Sequence, residues 1–555
     1  MKQEKIIVYQ IFTRLFGNKK QTNQENGTLE ENGCAKMNDI DEQRLRLIKE
    51  MGITHVWYTG IIRHATQTDY SRFGIPTQHS DVVKGKAGSP YAITDYYDVD
   101  PDLAENVDCR MAEFEALVER THKAGLKVII DFVPNHVARE YKSICKPAEV
   151  ADLGEGDDAN MHFSVKNNFY YCWGQPLNLE DITSGQSYHE MPARATGNDQ
   201  FSNRPTRNDW YETVKLNYGI DYCDAGGRSN HFNPIPDTWG KMTDILLFWA
   251  KKGVDGFRCD MAEMVPTAFW AWATDKVKFC YPEKLFIGEV YNPAEYRNYL
   301  HAGFDYLYDK VGMYDCVRDV ICGRRPAHDI TSQWQSTDDI RDHMLYFLEN
   351  HDEQRIASDF FAGDARRGFP GHLVSLLLQK NPYMLYAGQE FGEKGMDKEG
   401  FSGRDGRTTI FDYWCVDTIR RGYFDRRRLK KEERQLMADY QKTMLMANSE
   451  KAVREGEMYD LMYANPQMGN RQYAFLRKAD NELLLVVANF SDKMETVSLQ
   501  IPRHAFDFMC IPDAEADATD LLTGSETRLP LHADQTFSLD VPAYGGRVYK
   551  MILEK

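Results

Sequence analysis

The run GFRCD at residues 256–260 ends a short apolar stretch with Arg258 and Asp260 two positions apart. In a strand, residues two apart point to the same face. Taken alone, a guanidinium beside a carboxylate reads as a structural ion pair. Other polar residues fall at comparable places. Asp131 comes late in LKVIIDFVPNH, followed by Asn135 and His136; Glu289 ends LFIGEV; His351 and Asp352 follow MLYFLEN. Each also has an ordinary reading, a helix N-cap for Asp131 and a turn acid for Asp352. Together they meet the needs of one reaction. Retaining glycoside cleavage uses an ionised carboxylate as nucleophile and a carboxylic acid of raised pKa, roughly 5–5.5 Å apart. An opposite charge within about 4–6 Å lowers a carboxyl pKa, so a guanidinium keeps its neighbour ionised. A third acid can stabilise positive charge developing on a sugar ring. On this reading Arg258 holds Asp260 as a ready nucleophile.

Chemistry of this kind requires elements that bring the ends of several strands to one place. Short β-branched or aromatic runs recur at 6–12, 53–59, 126–136, 254–260, 285–290, 304–309, 344–350 and 382–388. Most are followed by an amphipathic helical pattern, as in DEQRLRLIKEMG and RMAEFEALVERTHKAG, each closed by a Gly. Near-continuous apolar runs mark strands buried on both faces. Eight strands alternating with helices predict an α/β fold, a closed (β/α)₈ barrel whose site lies at the C-terminal strand ends. The alternative, an open doubly wound sheet, lacks its GxGxxG after the early strands. About 100 residues rich in Asn, Asp, Tyr and Gly interrupt the rhythm after the third strand. From about residue 446, RQYAFLRK, LLLVVANFS and TVSLQIP alternate at period two, as in a small antiparallel β-domain. The resulting division is barrel 1–136, insertion 137–236, barrel 237–445 and β-domain 446–555.

Bulk composition narrows the classes. At 555 residues the chain needs more than one core. A formal charge of −17 argues against a phosphate-binding surface and so against nucleic acid as partner. Aromatics at 12% would suit stacking on neutral sugars, although a large core explains the same figure. The 11 cysteines include no CxxC pair, which indicates neither a zinc site nor a disulfide framework. The start, MKQEKIIVYQIF, lacks the apolar core and cleavage site of a secretory signal, and no apolar run reaches membrane-span length. The expectation is a cytoplasmic protein without membrane association, or a periplasmic or secreted one if a leader has been removed.

At the strand ends the sequence resembles the α-amylase family, glycoside hydrolase family 13, over nearly the whole chain. DFVPNH, GFRCD, GEV and NHD resemble the family's four motifs, in order. The resemblance implies Asp260 as nucleophile, Glu289 as general acid/base and Asp352 as transition-state stabiliser, with His136, Arg258 and His351 holding the sugar in subsite −1. SPYAITDYYDVDP resembles the segment whose tyrosine, here Tyr91, stacks on that sugar. The family's architecture, a barrel with domain B inserted after strand three and a C-terminal β-sandwich, agrees with the division read above. TVKLN at 213–217 resembles the MPKLN motif of neopullulanases and cyclomaltodextrinases, with Thr-Val in place of Met-Pro. Many α-amylases carry Lys-His after the nucleophile where this chain has Glu263 and Met264, which leaves the +1/+2 sugar contacts open. The implied activity is hydrolysis of α-1,4-glucosidic bonds in starch, glycogen or maltodextrins. The alternatives are a transglycosylase or isomerase of amylosucrase or trehalose synthase type, or a catalytically silent glucan-binding homologue. No cofactor is required by this chemistry. The resemblance implies a structural calcium, with Asn135 as one ligand or with the Asn-rich segment 18–33, although neither has clean oxygen-ligand spacing and a solvated loop explains 18–33 as well.

Overall fold

The structure, a computed structural model, describes residues 4–468 and 470–554. Eight parallel strands close into a barrel: β1 (Ile7–Phe12), β2 (His55–Thr59), β3 (Lys127–Phe132), β4 (Gly256–Cys259), β5 (Leu285–Gly288), β6 (Tyr306–Tyr308), β7 (Met344–Phe347) and β8 (Tyr383–Tyr386). Each pairs with its sequence neighbours, and β1 pairs with β8 to shut the ring. All eight expected strands are present. Helices between them cover the outside; Asp41 caps Glu42–Glu50 by accepting from the Arg44 N–H.

Alternation along each strand decides what fills the barrel. Val8, Trp57, Ile129, Ile287, Tyr308, Leu345, Phe347 and Met384 form one buried cluster, drawn from seven strands. The eighth, β4, contributes no apolar residue to it. At its place lies Arg258, whose guanidinium sits 5.2 Å from the Trp57 ring centroid and 5.6 Å from that of Tyr308. Two residues further along β1, β3, β4 and β5 the same inward face carries Gln10, Asp131, Asp260 and Glu289. The apolar interior is the floor on which these polar groups stand.

The third strand is shorter than the apolar run predicted. It ends at Phe132; Pro134, which has no N–H to give a ladder, sits in the turn before a separate strand His136–Ala138. That strand pairs with Thr213–Lys215, so the long insertion returns to the barrel rim at His136. After helices Lys431–Ser449 and Lys451–Arg454, the C-terminal part holds β9 (Glu457–Asp460), β10 (Gln472–Ala479), β11 (Glu482–Asn489), β12 (Glu495–Gln500), β13 (Ala514–Asp520), β14 (Glu526–Leu531), β15 (Thr536–Val541) and β16 (Gly545–Ile552). They form an antiparallel sheet β9-β10-β11-β16-β13-β14 and a second pair β12-β15. Among the described residues, no helix is long and apolar enough to cross a membrane.

Candidate active site

Arg258 organises the strand ends. Its Nη1 lies 2.8 Å from Asp260 Oδ1 and its Nη2 2.8 Å from Glu289 Oε2, with Asp131 Oδ1 at 3.4 Å from Nη1. The expected pairing with Asp260 is present, but the guanidinium is shared among three acids. Burial, and then the charges of Glu289, Asp131 and Asp352, push the Asp260 carboxyl well above the usual range; Arg258 opposes them. Arg258 thus acts in the expected sense, favouring the ionised form of Asp260, while burial acts against it. Removing three acids from water outweighs one cation. Burial also lifts Asp131 to about 6, against the pull of Arg258 and a 2.9 Å bond from Trp57 Nε1.

The other predicted residues gather around this cluster. Tyr91 stacks on His351 at 5.2 Å between ring centroids, and its hydroxyl lies 2.6 Å from His351 Nε2. The same nitrogen is 3.1 Å from Asp352 Oδ2. Burial pushes His351 down to about 3, and His136 likewise, so both imidazoles are neutral at ordinary pH. His136 packs against Trp210 of the insertion at 5.1 Å between centroids. A cavity of about 290 Å³ is lined by Tyr91, His136, Asp260, Glu289 and Asp352, with Trp210 and Phe411 among its walls. A larger cleft of about 1160 Å³ lies between the loop after β8 and the C-terminal strands, near Glu393, Arg421 and Arg547. It contains none of the strand-end acids; the predicted residues line the smaller cavity instead.

Several contributors escaped the sequence reading. Tyr291 donates its hydroxyl to Glu289 Oε1 at 2.5 Å, while the Met261 N–H donates to Oε2 at 2.8 Å. Met261 reaches it from a left-handed backbone, φ 41°, directly after Asp260. Glu263 braces the loop that carries Glu289: its Oε2 accepts the N–H groups of Tyr291 and Asn292, both at 3.0 Å. Gln10, inward on β1, meets His351 Nδ1 at 2.8 Å. The barrel's inward parity would have flagged Gln10; nothing in the local sequence marks Tyr291 or Glu263.

The residues at Asn135 do not fit a calcium. Asn135 Oδ1 accepts from the Lys215 ammonium at 2.5 Å, and the same ammonium lies 2.7 Å from Asp199 Oδ1. Lys215 is the lysine of TVKLN and is itself buried. An oxygen set placed to receive a cation between barrel and insertion already holds one. Burial pulls this ammonium below its ordinary pKa, and Asp199 pulls it back.

Known proteins resemble this chain over most of its length. α-Amylase MalA of Haloarcula japonica is 25% identical over 542 residues, covering 97% of this chain and 61% of the relative, so the chain spans about 61% of that protein's length. Neopullulanase 2 of Thermoactinomyces vulgaris is 21% identical over 511 residues, covering 89% of this chain and 71% of the relative. Two solved structures share the fold. The α-amylase of Geobacillus thermoleovorans complexed with acarbose has a TM-score of 0.66 at 19% identity, and the maltogenic α-amylase AmyB of Thermotoga neapolitana 0.64 at 21%; each comparison covers 100% of both chains. The profile described as "Alpha amylase, C-terminal all-beta domain" matches residues 463–551. That described as "Alpha amylase, catalytic domain" matches residues 10–456, a span that takes in all eight barrel strands nearly whole and every acid gathered around Arg258, and the chain belongs to the α-amylase family.

Proposed function

We propose that the protein is a retaining glycoside hydrolase that cleaves α-1,4-glucosidic bonds in starch, glycogen or maltodextrins. The observation that carries this reading is the Arg258 fork, with Asp260 on one arm and Glu289 on the other, at 2.8 Å each. Two carboxylates held by one guanidinium suit the close spacing of a double displacement better than the wider spacing that admits a water between them. Asp260 attacks the anomeric carbon while Glu289 gives its proton to the departing glycosidic oxygen, leaving a glycosyl ester on Asp260. Glu289, now a carboxylate, takes a proton from the water that attacks the ester, and Asp260 is released. Tyr91, His136, His351 and Asp352 bind the sugar undergoing this change. Support for a glucan substrate comes from the amylase and neopullulanase relatives and from the acarbose complex of a protein of like fold.

The Glu289→Gln variant tests the division of labour. It keeps size and hydrogen bonding but removes both proton transfers. Starch hydrolysis should be lost, whereas α-glucosyl fluoride, whose leaving group needs little acid, should still glycosylate Asp260. Azide should then restore turnover and yield the α-glycosyl azide, identified by mass spectrometry and NMR. A β-azide would overturn retention. A wild-type protein that binds maltodextrin without hydrolysing any glucan would overturn the enzymatic reading.

A further inference from the structure

The catalytic cavity carries in its wall a charged pair that the bond cleavage does not use. Lys84 Nζ lies 2.9 Å from Glu212 Oε2, and both residues line the cavity although they are only 9% and 4% exposed. Lys84 comes from the long segment after β2. Glu212 comes from the end of the insertion, directly before the strand Thr213–Lys215. A neutral sugar needs no ion pair to balance its charge. Two charges taken out of water also gain little net stability over apolar residues of the same size. The pair is better explained by where it stands.

Its surroundings join three loops into one wall. Arg14 Nη2 donates to the Gly88 carbonyl at 2.9 Å and to the Ile410 carbonyl at 3.1 Å, and the Ala87 N–H donates to the Phe411 carbonyl at 3.0 Å. The segment after β2 is thereby bound to the loop after β8. Gly85, next to Lys84, passes so close that a Cβ there would lie 2.2 Å from the Phe411 carbonyl oxygen. Its φ of 67° suits glycine as well. On the other flank the Arg139 N–H donates to the Glu212 carbonyl at 3.1 Å, which ties Glu212 to the strand that carries His136. The Lys84–Glu212 pair spans the gap between these two anchored parts. Phe411 meets the wall at Gly85, and Trp210 lies two residues before Glu212.

The direction of the reaction says which end of the cavity this wall closes. Glu289 gives its proton to the departing oxygen, so the leaving chain lies on the side of Glu289, Met261 and Tyr291. The wall stands by His136 instead. Trp210 packs on that imidazole, and after burial the charges of Lys215 and Lys84 are what hold it low. His136 belongs with the sugar that is transferred, beyond which a glucan continues toward its non-reducing end. There the path meets the ion pair. The enclosed volume of about 290 Å³ falls just short of the roughly 300–1,000 Å³ of common ligand pockets. We propose, resting on the hydrolase reading above, that the Lys84–Glu212 pair closes the glycone end of the site, so that the enzyme works from the non-reducing ends of α-glucans and releases glucose or maltose. An interior stretch of glucan has chain on both sides and does not fit; a chain end does.

The test gives the full chain p-nitrophenyl α-maltoheptaoside in two forms, one free and one with its non-reducing end closed as an ethylidene acetal. Products are followed by chromatography from the first turnovers. The wild type should release glucose or maltose from the free form and cleave the closed form at least about a hundredfold more slowly. The double variant Lys84→Ala/Glu212→Ala removes both charges together, so neither is left buried without its partner. It should cleave the closed form at a rate within about tenfold of the free form and shift early products to longer saccharides. A wild type that cleaves both forms alike, or that first releases longer saccharides, would overturn the closed end and leave the hydrolase reading standing. A wild type that cleaves neither form would overturn the hydrolase reading and this inference with it. A double variant that cleaves the free form and still rejects the closed one would show that the wall does not rest on this pair, and would overturn the proposal equally.

Discussion

The Tyr291 hydroxyl donates to Glu289 Oε1 at 2.5 Å, while Oε2 of the same carboxylate is already taken by Arg258 and the Met261 N–H. In the proposed mechanism, the oxygen left to carry the transferred proton is the one Tyr291 touches. Tyr291→Phe keeps the ring and removes only this contact. A hydrogen bond to a charged group is worth about 1.5–3 kcal/mol, so kcat should fall about tenfold or more, with KM within about twofold of wild type. Steady-state kinetics on a maltosyl substrate check this; a change confined to KM would make Tyr291 a sugar contact instead.

Arg258→Leu should be far more damaging. It strips the cation from Asp260 and Glu289 together and leaves buried carboxyls unpaired, a loss of about 3–5 kcal/mol. Activity should drop by at least about a hundredfold. Removing the positive charge disfavours the ionised form of Asp260, so the acid limb of the pH–rate profile should move to higher pH. A profile that superimposes on the wild type would mean that the pair is only structural.

Lys215 should behave as a tether between insertion and barrel. Lys215→Met removes the ammonium that joins Asn135 to Asp199 and should cost about 3 kcal/mol in urea unfolding. KM should rise as well, because the paired strands His136–Ala138 and Thr213–Lys215 carry His136 at the cavity. An unchanged unfolding midpoint would show that the ammonium contributes nothing.

His372 makes stability sensitive to acid from a position outside the catalytic cavity. It is fully buried between Tyr383 and Thr443, and burial pushes it down to about 3. A folded pKa below the unfolded value of about 6.5 adds stability above that value, and the stability is lost as pH falls toward the folded pKa. Between pH 7 and pH 5 this one group should cost the wild type about 2 kcal/mol. His372→Gln should be less stable at pH 7 and close the gap by that amount at pH 5, as read by urea melts at both values.

What could be read from the sequence was whatever depends on period and order. Short β-branched or aromatic runs separated by helical patterns placed all eight barrel strands. Residues spaced by two put Arg258 beside Asp260, because successive side chains on a strand alternate faces. The ends of the runs placed Asp131, Glu289 and Asp352, and the resemblance of DFVPNH, GFRCD, GEV and NHD to known motifs supplied the family. Tertiary structure decided what depends on distance between segments far apart in the chain. It split Arg258 among three acids and buried Asp260, so that desolvation opposes the pull of the guanidinium. It set Lys215 on Asn135, 80 residues away in sequence, where a calcium had been expected. It turned Glu263 into a brace for the loop of Glu289 and brought Asn32 onto the Tyr413 carbonyl, 381 residues away in sequence, because β1 and β8 pair where the barrel closes. Local pattern records which face a side chain takes; which charges then share that space is set by the closure of the barrel and the packing of its loops.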